Sequence, residues 1–267
     1  MRPDPETVQS IIRDVAEAEI LPRFQKLAAS DISEKAPGDL VTIADLKSEK
    51  ALTRELTNLL AGSVAIGEEG VNADPTTLAA LSEDRPVWII DPVDGTHNFA
   101  HGTPCFAVIV SLIHRRQIIA GWIHDPIANS TIYAEQGAGT WEGSDRLHIS
   151  RDSPLSQMTG SLKRSTRHKI EKRQADGEQG LPKIIKRYRC VGREYMDLVR
   201  GTLDFAGYGG LLKPWDHIAG ILMYREAGGM DRMVESAETY QISSEIDRGT
   251  LLLAPSSSHW ASLSEFE

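Results

Sequence analysis

The chain has 267 residues, 38 acidic and 29 basic side chains, a formal net charge of −9 and 40% apolar residues. That length allows one large domain or two closely packed ones with a substantial core; the acidic balance argues against nucleic-acid binding by the surface as a whole, and no apolar run approaches the roughly 18 residues of a membrane span. The two cysteines, Cys105 and Cys190, suggest neither a disulfide framework nor a zinc site, and the polar opening Met1 to Glu6 lacks a signal peptide's apolar segment, so the expected location is cytoplasmic.

Asp4-Pro5-Glu6 predicts a helix start, with Val8, Ile11, Ile12 and Val15 at helical spacing and Pro22 kinking or ending the helix. Residues 31–39 read as a polar loop containing Lys35, Pro37 and Gly38, either a connection or a lid. Residues 39–45 read as extended, with Asp45 capping a second helix whose face carries Leu52, Leu56 and Leu59 or Leu60. The two helices are expected to pack as a pair.

Val64-Ala65-Ile66 predicts a strand delivering Gly67-Glu68-Glu69-Gly70. Alone, such glutamates read as solvated surface. Beside a neighbouring strand that ends in carboxylates, Glu68 reaches the same edge and Glu69 points away, because side chains alternate along a strand. A polar connection follows, with a helical turn at 77–81.

Val87 to Ile90 is a buried strand that stops in Asp91-Pro92-Val93-Asp94-Gly95-Thr96. Two carboxylates three residues apart, with a Pro fixing the turn, share one small volume only if a charge offsets their repulsion. A hard divalent cation with oxygen ligands, Mg2+ above all, does this, and the Val93 carbonyl is exposed by the same turn. Gly95 and Thr96 open a helix whose free N–H groups face an anion. The plainer reading of the stretch is a strand with a capped turn.

Phe106 to Trp141 predicts an antiparallel meander of four strands. Residues 163–189 are strongly basic, either a solvated surface or a positive rim for a phosphorylated or acidic partner. After Cys190 come a helix at 195–200, an extended segment at 202–206, and a helix opened by Pro214-Trp215-Asp216 and stopped by Gly228-Gly229. Asp216 lies in its first turn, as cap or as ligand. A last strand at 251–254 and a terminal helix at 256–266 complete the chain.

Three motifs, Asp39-Leu40-Val41-Thr42 to Asp45, Gly67-Glu68-Glu69 with Asp91-Pro92-Val93-Asp94-Gly95-Thr96, and Trp215-Asp216 to Ala219-Gly220, stand in an order that resembles the inositol monophosphatase family of Mg2+-dependent, lithium-sensitive phosphatases. The resemblance spans nearly the whole chain. It implies an α/β (α+β) fold, the five-layer αβαβα sandwich shared with fructose-1,6-bisphosphatase, usually as a homodimer. The two halves expected are 1–145, with the main metal motifs, and 146–267, with the second metal Asp, together one catalytic unit.

Glu68, Asp91, Asp94, Asp216 and the Val93 carbonyl make an oxygen site too rich for one Mg2+, which points to two-metal hydrolysis of a phosphate monoester with water as nucleophile. Glu68, Asp91 and Val93 hold the first ion, and Asp91, Asp94 and Asp216 the second. Thr96 and Glu68 orient and deprotonate the water, Asp45 orients Thr96, and the Gly95 and Thr96 N–H groups bind phosphate oxygens. The resemblance assigns the same roles, and implies two or three Mg2+ ions, Mn2+ as a substitute, and Ca2+ and Li+ as inhibitors. Substrate contacts are expected from Asp94, Gly95, Thr96 and Asp216, with Arg193 and Glu194 facing the leaving group. Gly209 stands where members acting on inositol phosphates carry a Glu that reaches a sugar hydroxyl. The expected substrate is inositol monophosphate or a related polyol phosphate. Histidinol phosphate or a nucleotide 3'-phosphate is the enzymatic alternative, and a regulatory protein contacting RNA or RNA polymerase the non-enzymatic one.

Overall fold

The computed structural model describes residues 2–150 and 152–267; Met1 and Arg151 lie outside the described residues. Asp4 caps helix α1 (Pro5–Val15) by accepting the Thr7 N–H at 2.9 Å, and Val8, Ile12 and Val15 form its buried stripe. Regular geometry gives way ahead of Pro22, which has no N–H for the helical ladder, through a π turn (Ala16–Ile20) and a 3-10 turn (Leu21–Arg23). Residues 31–39 are not the polar loop expected from their composition. They supply most of an antiparallel hairpin, β1 (Ile32–Ala36) and β2 (Asp39–Thr42). Thr42, not Asp45, caps α2 (Ile43–Leu59); Asp45 sits three residues on and accepts the Thr42 N–H and hydroxyl at 2.9 and 2.5 Å, a capping box.

Then come β3 (Val64–Gly67), the short α3 (Glu68–Ala73), a 3-10 turn (Pro75–Ser82), β4 (Val87–Asp94) and α4 (Thr96–Ala100). The meander follows as β5 (Ala107–His114), β6 (Gln117–Asp125), β7 (Ser130–Glu135), β8 (Gly139–Glu142) and β9 (Asp145–Leu147). β3 to β9 lie in sequence order in one seven-stranded sheet, with β3 parallel to β4 and every other pair antiparallel.

The rest of the chain runs β10 (Thr159–Ser161), α5 (Arg164–Ala175), β11 (Lys183–Ile185), α6 (Val191–Arg200), β12 (Phe205–Leu212), α7 (Pro214–Glu226), β13 (Met230–Met233), β14 (Asp247–Ala254) and α8 (Ser257–Ser264). A five-stranded sheet takes the order β11-β10-β12-β14-β13. The strand expected at 202–206 starts later, because Thr202 and Leu203 still donate their N–H groups to Asp197 O at the end of α6. It runs on to Leu212, so Gly209 lies inside a strand.

Alternation along β4 sets the layers. Trp88 and Ile90 pack with Ile12, Leu52 and Leu56 of α1 and α2, while Ile89 faces the other way, toward Met196 of α6 and Ile218 of α7. Tyr208 and Leu251 of the second sheet close over α6 and α7 from the far side. Phe205 and Leu252 turn outward to Ile170 of α5 and Leu263 of α8. Helices, sheet, helices, sheet and helices thus make five layers, each buried Leu, Ile or Phe contributing roughly 1.5–3 kcal/mol. Only Thr166 and Ile170 of α5 are buried, so its basic side chains belong to the outermost layer. Among the described residues no helix is long and apolar enough to cross a membrane.

Candidate active site

The site begins where β4 leaves its ladder. Asp91 pairs with Ile109 and Asp94 with Ala107, so β4 carries an extra residue in a bulge. Pro92 sits in that bulge, where its missing N–H leaves no ladder bond unmade. Asp91 Oδ1 accepts the Val93 N–H at 3.1 Å, and the Val93 carbonyl accepts the Thr96 hydroxyl at 2.9 Å. Gly95 has φ 91°. A Cβ there would lie 3.0 Å from Cys105 O and 3.2 Å from Arg189 O, so the turn requires glycine.

Asp45, on the first turn of α2, brings its second oxygen within 3.0 Å of Thr96 Oγ1. Four residues along the same helix face, Glu49 accepts the N–H groups of Glu69 and Gly70 at 2.8 and 2.9 Å and so holds the start of α3. A Cβ on Gly67 would lie 2.1 Å from the Glu49 carboxyl carbon, which explains the glycine before the paired glutamates. Glu69 does not point away from Glu68. Both belong to α3 rather than to β3, so strand alternation does not apply, and both lie 2.9 Å from Lys35 Nζ. Lys213, just before the Pro that opens α7, approaches Glu68 from the other side at 3.2 Å.

One carboxylate oxygen each of Glu68, Asp91 and Asp216 lie within 4.8 Å of one another. Burial raises the carboxyls of Asp91 and Asp216 well above the ordinary range, and the neighbouring carboxylates add to it. Burial alone would raise Glu68 as well, but Lys213 and Lys35 hold it below its usual value. Asp94 is turned the other way. It accepts the N–H groups of Val191 and Gly192 at 3.1 and 2.6 Å and the Cys190 thiol at 3.1 Å, and burial raises it to about 6. Such a set of buried, mutually repelling oxygen donors, which Lys35 and Lys213 offset at Glu68 and in part at Asp216, fits a hard divalent ion.

Of the leaving-group candidates, Arg193 pairs with Asp125 at the end of β6. It is absent from the lining of the cavity of about 300 Å3 that adjoins Asp216. Glu194 does line that cavity, buried, and accepts from Ser161, Arg187 and the Tyr188 N–H at 3.0–3.2 Å. The residues that the sequence reading missed are Glu49, Asn98, Arg187 and Lys213. Glu49 was legible from its four-residue spacing to Asp45. Asn98, whose amide donates to Cys105 O and Tyr188 O at 2.8 and 2.9 Å, has no such local signal.

The raised carboxyls set a pH dependence. Asp45 and Asp94 are lifted to about 6 by burial, so between about pH 4 and 6 the folded state keeps protons that the unfolded chain has released. Unfolding free energy therefore falls as pH rises through that window. For the metal-free protein in chelator, the melting temperature measured by calorimetry is expected to be lower at pH 7.5 than at pH 5.5, and millimolar Mg2+ is expected to reduce the difference. A rise from pH 5.5 to 7.5 in chelator would contradict the assignment.

A sequence model of the inositol monophosphatase family matches residues 4–246. An inositol-1-monophosphatase of Rhizobium meliloti is 32% identical over 230 residues, covering 83% of this chain and 79% of that protein. A Thermotoga maritima protein named fructose-1,6-bisphosphatase/inositol-1-monophosphatase is 30% identical over 208 residues, covering 75% and 74%. The solved structure of a T. maritima IMPase shares the fold, with a TM-score of 0.78 at 22% identity over 98% of this chain and 95% of that one. The protein therefore belongs to the inositol monophosphatase family and is a phosphatase acting on phosphate monoesters.

Proposed function

We propose that the protein is a Mg2+-dependent phosphatase that hydrolyses a small polyol phosphate, with inositol monophosphate in the substrate class, by direct attack of water. The observation that carries this reading is the convergence of Glu68, Asp91 and Asp216 within 4.8 Å at the edge where Thr96 meets Asp45. Glu68, Asp91 and the Val93 carbonyl would hold one ion, and Asp91, Asp94 and Asp216 the other. Asp94 keeps lone pairs for this beyond those its N–H partners use. Bound there, the ions supply Lewis-acid neutralisation of phosphoryl charge and lower the pKa of water.

The chain's own groups do the rest. The Thr96 hydroxyl has one proton and two acceptors in reach, Val93 O and Asp45 Oδ1. The Asp45 carboxylate is the stronger acceptor of the two, so the hydroxyl would donate to Asp45 and turn a lone pair toward the attacking water. Glu68 accepts the water's proton alongside it. The Gly95 and Thr96 N–H groups, at the start of α4, donate to phosphate oxygens as negative charge develops. Lys35 and Lys213 limit the charge on the Glu68 side before substrate arrives. Histidinol and nucleotide phosphates would meet the same chemistry and differ only in the leaving group.

The test is phosphate release from inositol, histidinol, sugar and nucleotide phosphates, with Mg2+ and with chelator. Release that needs the metal supports the reading; metal-independent release, or none, removes it. Thr96→Ala is expected to lower kcat by about 10²–10³, with Thr96→Ser retaining most of it. Equal loss in both variants would mean that the methyl, not the hydroxyl, matters.

A further inference from the structure

Cys105 and Cys190 are the only cysteines of the chain. They stand far apart in the sequence, and the fold brings them together beside Asp94. We propose that Cys105 is a site of thiol-disulfide exchange which resolves onto Cys190, and that the internal disulfide so formed disables the Asp94 corner of the site. Formation of the bond is independent of the reaction catalysed; its effect on turnover rests on the phosphatase reading.

Three contacts set the two thiols side by side. The Asn98 amide donates to Cys105 O at 2.8 Å and to Tyr188 O and Arg189 O at 2.9 and 3.3 Å. One side chain thus ties the segment after α4 to the segment before α6. Gly95 adjoins both and brings no side chain: a Cβ there would lie 3.0 Å from Cys105 O and 3.2 Å from Cys190 Cβ. The two thiols are free and hydrogen-bonded to each other. Sulfur atoms in that contact reach bonding distance by rotation about their Cα–Cβ bonds, with little movement of the backbone.

Their surroundings divide the roles. Cys105 is partly exposed, whereas Cys190 is 1% exposed. The hydrogen bond from Cys190 holds the Cys105 thiol below its ordinary value, against the effect of burial and with help from the Arg193 cation, the setting of a reactive thiol. A small disulfide such as oxidised glutathione therefore meets Cys105 first. The Cys105 thiolate attacks one of its sulfurs and glutathione thiolate leaves. The Cys190 sulfur then attacks the Cys105 sulfur of the mixed disulfide, the bond from Cys105 to glutathione breaks, and the second glutathione takes the Cys190 proton. One oxidised glutathione is reduced to two glutathiones, and two protein thiols are oxidised to one disulfide.

The reduced Cys190 thiol donates to Asp94 Oδ2 at 3.1 Å; in the disulfide that proton is gone. The start of α6 has no slack to compensate. The Gly192 N–H reaches the same oxygen at 2.6 Å, and a Cβ on Gly192 would lie 3.1 Å from it and 3.0 Å from Ala107 Cβ. Drawing Cys190 toward Cys105 therefore shifts the N–H groups of Val191 and Gly192 that hold Asp94 in place.

The full-length protein incubated with oxidised glutathione tests this, by intact mass, peptide mapping and phosphate release in Mg2+. The wild type is expected to lose two hydrogens, to yield a peptide pair joined through Cys105 and Cys190, and to lose about tenfold or more in kcat/KM, the effect of one hydrogen bond to a charged group. Dithiothreitol is expected to restore the activity. Cys105→Ser is expected to keep the activity of the reduced wild type and to escape inactivation. Cys190→Ser is expected to stop at a glutathione on Cys105. A wild type that resists oxidation, or that retains glutathione on Cys105 without joining the two cysteines, would overturn the proposal. So would a joined pair with unchanged turnover, or a Cys105→Ser variant inactivated like the wild type. Phosphate release from no ester by the reduced protein would overturn the phosphatase reading instead, and the mass of the joined peptides is read without any substrate.

Discussion

Asp91→Asn is expected to cut phosphate release by about a thousandfold or more while raising the melting temperature of the metal-free protein. Asn keeps the shape, and its amide oxygen still accepts the Val93 N–H that Asp91 holds at 3.1 Å, so the bulge of β4 survives. What it lacks is the charge, and removing one donor from a site that stabilises a phosphoryl transition state costs several kcal/mol of barrier. Stability moves the other way. Asp91 is 2% exposed and faces Glu68, Asp94 and Asp216, each of which raises its carboxyl. Neutralising one of four such groups relieves repulsion worth on the order of 1–3 kcal/mol, a melting shift of several degrees for a chain of this size. Metal binding to the folded state reverses the order, because Mg2+ stabilises only the protein that holds it. Melting curves of both proteins with chelator and with Mg2+, beside phosphate release, check this. A variant that keeps a tenth of the activity, or gains as much from Mg2+ as the wild type, would remove Asp91 from the metal site.

Gly220→Ala is expected to lower the melting temperature by about 6–12 °C, corresponding to about 3 kcal/mol, and to lower activity with it. A Cβ at position 220 would lie 2.1 Å from Tyr195 Cγ, nearer than atoms can approach. Tyr195 cannot yield. Its ring is fully buried, stacked on Tyr208 at 5.5 Å, and its hydroxyl lies 3.2 Å from His217 Nδ1. α6 and α7 must therefore separate, and the helix propensity gained by replacing Gly, about 1 kcal/mol, offsets only part of the cost. Since α7 carries Asp216 and the start of α6 holds Asp94, their displacement reaches both carboxylates. Calorimetry and phosphate release measure the two effects. A melting point within 2 °C of wild type would show that the contact is looser than its geometry.

The glycine of the Trp215-Asp216 motif thus has a packing reason, and much of the site was legible in the same way. Asp91-Pro92-Val93-Asp94-Gly95-Thr96 announces itself because charge, Pro and Gly directly after an apolar run have few structural explanations. The apolar spacing of α1 and α2 and the turn-separated β segments between Phe106 and Trp141 likewise mark real elements. What local pattern could not carry is long-range supply of hydrogen-bond partners. α6 starts at Val191 instead of at 195 because the Asp94 carboxylate, from another layer, takes its first N–H groups. The hairpin at 32–42 looks polar because Lys35 is committed to Glu68 and Glu69 rather than to solvent. Arg193 and Glu194 are adjacent, yet helical geometry sends one to Asp125 and the other into the cavity wall.

The five layers also impose an order on biosynthesis. One face of the first sheet, with Ile89, Ile109, Ile123 and Ile132, is covered by α6 and α7, which lie at residues 191–226. A ribosome adding about 5–20 residues per second therefore exposes a complete apolar sheet face for several seconds before its cover is made. During that interval Glu68, Asp91 and Asp94 lack Asp216 and Lys213, and the nascent chain holds uncovered β-sheet beside unmatched charge. The central helical layer that completes the site is also the one whose synthesis ends the chain's most aggregation-prone interval.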